Sequence, residues 1–107
     1  MQIIFGKEVA QEMSNRHVLL ELETFDAPIR GPVTAYCLVP PESISIDELK
    51  DLSRLVGLHK ATIDALQRGD FLTVVEGISH LRGVFNGEVD SFYDVLLARL
   101  TEGETNV

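Results

Sequence analysis

Residues 33–48 read VTAYCLVPPESISIDE, and the change of character inside this stretch decides the fold. Val33, Ala35, Cys37 and Val39 alternate with Thr34, Tyr36 and Leu38, and both sets are largely apolar, which is how a strand buried on two faces reads. Pro40-Pro41 then stops any ladder, because neither residue offers an N–H. Ser45 is followed three residues later by Glu48, the spacing at which each side chain satisfies an orphan backbone donor of the other at a helix start. A sheet therefore ends at Val39 and a helix opens near Ile46.

Upstream of this seam the signal is that of strands. Residues 18–25, VLLELETF, set Val18, Leu20, Leu22 and Thr24 against Leu19, Glu21 and Glu23, so one face is apolar. Asp26 to Pro32 carries two prolines and a glycine, the composition of a turn. Gln2-Ile3-Ile4-Phe5 is a short β-branched and aromatic run stopped by Gly6, and residues 7–16 can form one or two helical turns. These pieces predict a three-stranded, mostly antiparallel sheet, with β1 parallel to β2 if residues 7–16 form a crossover helix.

Downstream the period becomes helical. Leu49, Leu52, Leu55, Val56, His59, Ile63 and Leu66 form one stripe, which predicts a single helix from Ile46 to Gln67 or Arg68, with Gly69 as its left-handed stop and Asp70 as the next cap. A second helix carries Phe71, Val74, Val75, Ile78 and Leu81 on one face and ends at Gly83. A third, capped by Asn86, carries Val89, Phe92, Tyr93, Leu96, Leu97 and Leu100. The expected fold is α+β: a small N-terminal sheet (residues 1–39) packed on a C-terminal three-helix layer (residues 45–101), one domain over 1–107, with residues 102–107 frayed.

Composition narrows the function. With 107 residues, 17 acidic and 9 basic side chains and a formal charge of −8, the chain has room for one core and no basic stripe to meet phosphates. Direct nucleic-acid binding and adsorption to an anionic membrane are therefore not expected. Neither a signal peptide nor a membrane span is written in the sequence, and the lone Cys37 has no partner for an internal disulfide, so a cytoplasmic protein is expected.

No catalytic or cofactor motif occurs, and no cofactor is expected. His59, in the middle of an apolar stripe, is the one candidate catalytic residue, acting as a base with a carboxylate from another element or with Tyr36 or Tyr93. The competing reading is a core-edge histidine with one hydrogen bond. His17, His80 and Cys37 show no zinc spacing. Glu88, Asp90 and Asp94 are weak candidates for a cation, and acids in a first helical turn also complement the helix dipole. Arg82-Gly83 and Asn86-Gly87 read as turn and cap rather than as a phosphate loop. Cys37 has no neighbouring cation in sequence and reads as a small core residue. Leu58, Ala61 and Ala65 form a second, small-residue patch that faces another helix or another subunit, which makes a homodimer an expectation.

Residues 58–81, LHKATIDALQRGDFLTVVEGISHL, resemble one helix-turn-helix unit of the tetratricopeptide kind at Ala65, Leu66, Gly69, Asp70 and Phe71, but lack that family's second-helix alanine and terminal proline, and one unit cannot stack. Residues 81–100, LRGVFNGEVDSFYDVLLARL, together with VLLELETF, are similar to small proteins encoded by tailed phages of marine bacteria, a resemblance that implies no activity. The function expected from the residues is a non-enzymatic protein-interaction or accessory module. The alternatives are a small enzyme built on His59 and an acidic mimic of nucleic acid that occupies a basic partner.

Overall fold

The computed structural model describes residues 2–15 and 17–105, with side chains through Leu100. It contains β1 (Gln2–Phe5), α1 (Lys7–Met13), β2 (Val18–Ala27), β3 (Gly31–Val39), α2 (Ile46–Lys50), α3 (Leu52–Arg68), α4 (Phe71–Leu81) and α5 (Asp90–Thr105), with short 3-10 turns at Pro41–Ser43 and Val84–Gly87. The architecture is α+β.

The sheet order is β1-β3-β2, with both outer strands antiparallel to β3. The strand that is apolar on both faces is the central one. Because each outer strand opposes β3, β1 and β2 run in the same direction with β3 inserted between them, a split β-α-β unit whose crossover is α1. A bulge at Leu22 shifts the register, so that Glu21 faces Tyr36 while Glu23 faces Ala35.

One face of the sheet, carrying Leu20, Leu22, Ala35, Cys37 and Val39, joins the core cluster with Leu55, Ile63, Ala65, Val74, Ile78, Leu81, Phe85, Val89, Tyr93 and Leu96 of the helical layer. Leu38 and Ala10 are buried outside that cluster, which is consistent with α1 covering the opposite face.

The helical layer departs from its sequence reading in four places. The single helix predicted from Ile46 is two, broken at Asp51 (φ −115°, ψ 14°). The Ser45/Glu48 box forms as expected, but Glu48 also accepts the Phe85 N–H at 2.8 Å, which fixes α2 to the Val84–Gly87 turn while α3 follows the sheet and α4. The break reconciles the two anchors, and Leu49, off the α3 stripe, is exposed.

Second, α4 buries Val74, Gly77, Ile78 and Leu81 and turns Phe71 and Val75 outward. The cause is Gly77: a Cβ there would lie 2.1 Å from Thr62 Oγ1, so the α4 backbone is drawn against α3 along the Gly77 line and the buried arc is rotated away from Phe71. Third, Asn86 lies inside the Val84–Gly87 turn, four residues before α5 opens at Asp90, rather than at that helix's start. Phe85 (φ 55°) and Asn86 (φ 57°) are both left-handed, a conformation that costs about 1–3 kcal/mol per non-glycine residue. The buried Phe85 ring and the Glu48 and Asp90 carboxylates, which accept the N–H groups of Phe85 and Gly83, hold the turn against that cost. Fourth, α5 continues to Thr105, and residues 106–107 lie outside those described.

The α3–α4 contact makes two glycines opposite in sign. Gly57→Ala enters open space in mid-helix and is expected to stabilise by about 0.5–1 kcal/mol through helix propensity alone. Gly77→Ala must displace Thr62 and is expected to destabilise by about 1–3 kcal/mol. Urea denaturation of the two variants measures both.

Candidate functional site

The polar anomaly of the sequence becomes the best-connected polar group of the core. His59 lies on α3 at 2% exposure, between the edge of β2 and α5. Its Nδ1 is 2.8 Å from Tyr93 Oη and its Nε2 is 2.6 Å from the Glu21 main-chain carbonyl oxygen. The Tyr93 ring leans on the imidazole, with centroids 5.8 Å apart and planes tilted by 53°.

The register explains why a carbonyl is waiting there. Gly6 N–H donates to Thr34 O, and antiparallel pairs alternate, so Thr34, Tyr36 and Leu38 turn their backbone groups toward β1. Glu21 faces Tyr36, so its own N–H and C=O turn away from the sheet. On an edge strand beneath a helix such a carbonyl needs a donor, and His59 supplies it.

The partners also fix the proton. A carbonyl only accepts, so Nε2 carries the hydrogen, and Nδ1 accepts from the Tyr93 hydroxyl. Burial lowers the His59 pKa below its ordinary 6.5, the bond to Glu21 opposing the shift only in part. Burial, followed by the Cys37 and Asp90 charges, raises the Tyr93 pKa, so the phenol stays protonated. The pair is neutral, and neither ring nitrogen has an open position toward a ligand.

Of the tyrosines expected beside His59, Tyr93 is the bonded one; Tyr36 lines, with Val56, His59 and Lys60, a shallow groove of about 220 Å³ along the β2 edge. No carboxylate joins the pair, since Glu21 contributes its backbone. Which partner His59 would take was hidden from the sequence, because it depends on the alternation of the ladder; the β-strand text around Glu21 was the only available signal.

The other candidates are dispersed. Glu88 accepts the Ser43 hydroxyl at 3.1 Å, Asp90 accepts the Gly83 N–H at 2.8 Å, and Asp94 pairs with Arg82 at 3.2 Å. Among the described residues no group of three His, Cys, Asp or Glu side chains could hold a metal ion. Cys37 is fully buried, and burial, with the Glu88 charge second, pushes its thiol up to about 11. His17 is half-buried with Nδ1 unpartnered, and His80 is exposed. Of the small-residue patch, Ala65 is fully buried, Leu58 packs on the core and Ala61 is exposed; Leu58 and Ala61 line a groove of about 130 Å³ between α3 and α4.

No family model, curated protein or solved structure matches the chain. Among the described residues no helix is long and apolar enough to cross a membrane.

The depressed His59 pKa gives a signed expectation. The unfolded chain takes up this proton before the folded one, so the contribution is complete above about pH 6.5 and falls as pH drops below that value, until the folded state is itself protonated. Chemical denaturation between pH 8 and 5 should show this loss in the wild type and not in His59→Gln. Tyr93→Phe leaves Nδ1 without its donor and is expected to cost about 1–3 kcal/mol at pH 8.

Proposed function

We propose that the protein is a non-enzymatic interaction module that binds a protein partner through the outer flank of α4. The observation that carries this reading is the exposure of Phe71 (54%), Leu72 (86%) and Val75 (46%) on a helix anchored from its other side by Val74, Ile78 and Leu81. Apolar side chains at i, i+1 and i+4 offer one contiguous stripe to an amphipathic helix or groove. The Gly77–Thr62 approach turns Phe71 and Val75 out beside Leu72, which the helical period itself places on the outer side.

The geometry favours this reading over its alternatives. An enzyme built on His59 needs a nitrogen free to exchange a proton with a substrate, and both nitrogens are engaged inside the core. A nucleic-acid mimic needs carboxylates arrayed toward a partner, whereas Glu48, Asp70 and Asp90 accept backbone N–H groups and Glu23, Asp51 and Asp94 pair with arginines.

The test compares wild type with Leu72→Glu as bait in affinity capture from the source cell. Leu72 is almost fully exposed, so the variant should keep its unfolding free energy within about 0.5 kcal/mol of wild type. A partner retained by wild type and lost from the variant supports the proposal. Equal capture by both, or none by either, contradicts it.

A further inference from the structure

The sheet has three lengths of free backbone edge, and two of them are blocked. On β2, the outward Glu21 carbonyl is taken by His59, the Leu22 bulge breaks the register, and Asp26 places a charge on the edge. On β3, the stretch beyond the end of β1 presents Pro32, which has no N–H to give. The third edge is β1, and among the described residues nothing guards it: Gln2, Ile3, Ile4 and Phe5 include no charge, no proline and no bulge.

Parity defines what that edge offers. Gln2, Ile4 and Gly6 face β3 with their backbone groups, so Ile3 and Phe5 turn N–H and C=O outward. Their side chains share one face of the sheet and are left exposed, Ile3 at 41% and Phe5 at 56%, with the Phe5 ring edge-on to Phe25 at 6.0 Å. Free hydrogen-bonding groups and uncovered apolar side chains therefore coincide on the same two residues.

We propose that this edge pairs with the β1 edge of a second copy of the chain, antiparallel about a two-fold axis at Ile4. In that register Ile3 exchanges both backbone bonds with Phe5 of the second copy and Phe5 with its Ile3, four bonds in all, and Ile4 faces Ile4 across the axis. Each exposed Ile3 side chain then lies beside an exposed Phe5, an apolar cross-strand pair. A second copy fits because the edge is uncharged in a chain of net charge −8, so two copies meet here without opposing like charges. The product is one six-stranded sheet, β2-β3-β1-β1-β3-β2, whose outer edges are the ones blocked by His59, the bulge and Asp26. The contact is small, so the association is reversible. It uses a surface separate from the α4 flank and does not depend on the reading given above.

Light scattering on the intact chain from micromolar to about millimolar concentration tests the pairing. The expected result is a mass rising from 11.9 kDa toward twice that value, with Phe5→Lys remaining at 11.9 kDa while its circular dichroism is unchanged. The register is tested separately by oxidising Ile4→Cys and Ile3→Cys. The non-hydrogen-bonded pair at position 4 brings the two Cα atoms to about 4.5 Å, within disulfide reach, whereas the diagonal separation of about 7–8 Å at position 3 is beyond it. This arm decides the matter if Phe5→Lys fails to fold. A wild-type mass fixed at 11.9 kDa over the whole range overturns the proposal. So does a dimer that survives in folded Phe5→Lys, or cross-linking at position 3 and not at position 4.

Discussion

The hydrogen bond from His59 Nε2 to the Glu21 carbonyl is the constraint around which the two halves of this molecule are joined. An edge strand leaves every second residue with backbone groups that no neighbouring strand satisfies, and covering that edge with an apolar helix would strand them. The histidine resolves the conflict by standing in for a neighbouring strand at one position. Its second nitrogen then needs a donor, and Tyr93 provides one from α5. Sheet, α3 and α5 are thus held by a chain of two bonds in which each polar group has one role. That completeness makes the network structural and leaves it without an open valence for chemistry.

A second constraint shapes the surface. The close approach of α4 to α3 at Gly77 and Thr62 sets the rotation of α4 about its own axis, and the rotation decides which apolar side chains stay outside. Likewise the anchoring of α2 by Glu48 to the left-handed Phe85 turn sets where α3 must begin. Part of the acidic character of the chain is absorbed by such contacts. Glu48, Asp70 and Asp90 satisfy backbone donors, so their charges are part of the architecture rather than a display for a partner.

Much of the fold was legible in the sequence because it rests on local chemistry. The alternation in residues 18–22, the doubly apolar β3, the Ser45/Glu48 box and the left-handed Gly69 each act over a few residues, and each is present as read, whereas the bulge at Leu22 moves Thr24 off the apolar face to lie opposite Thr34. What escaped depends on long-range geometry. The break at Asp51 follows from the anchoring of Glu48 to Phe85, 37 residues further along the chain. The exposure of Phe71 and Val75 follows from a glycine whose importance lies in what it allows Thr62 to do. His59 could be singled out as anomalous, but its partners are set by a register and a bulge that no helical wheel contains.

Nitrogen-detected NMR of His59 reads the state of that one imidazole, on which the joining of sheet and helices depends, directly. The structure requires a neutral ring protonated at Nε2, with an unprotonated Nδ1 that accepts from Tyr93, and a titration midpoint below the ordinary 6.5. A ring protonated at Nδ1 instead, or a His59 that titrates freely at 6.5 like an exposed histidine, would contradict it.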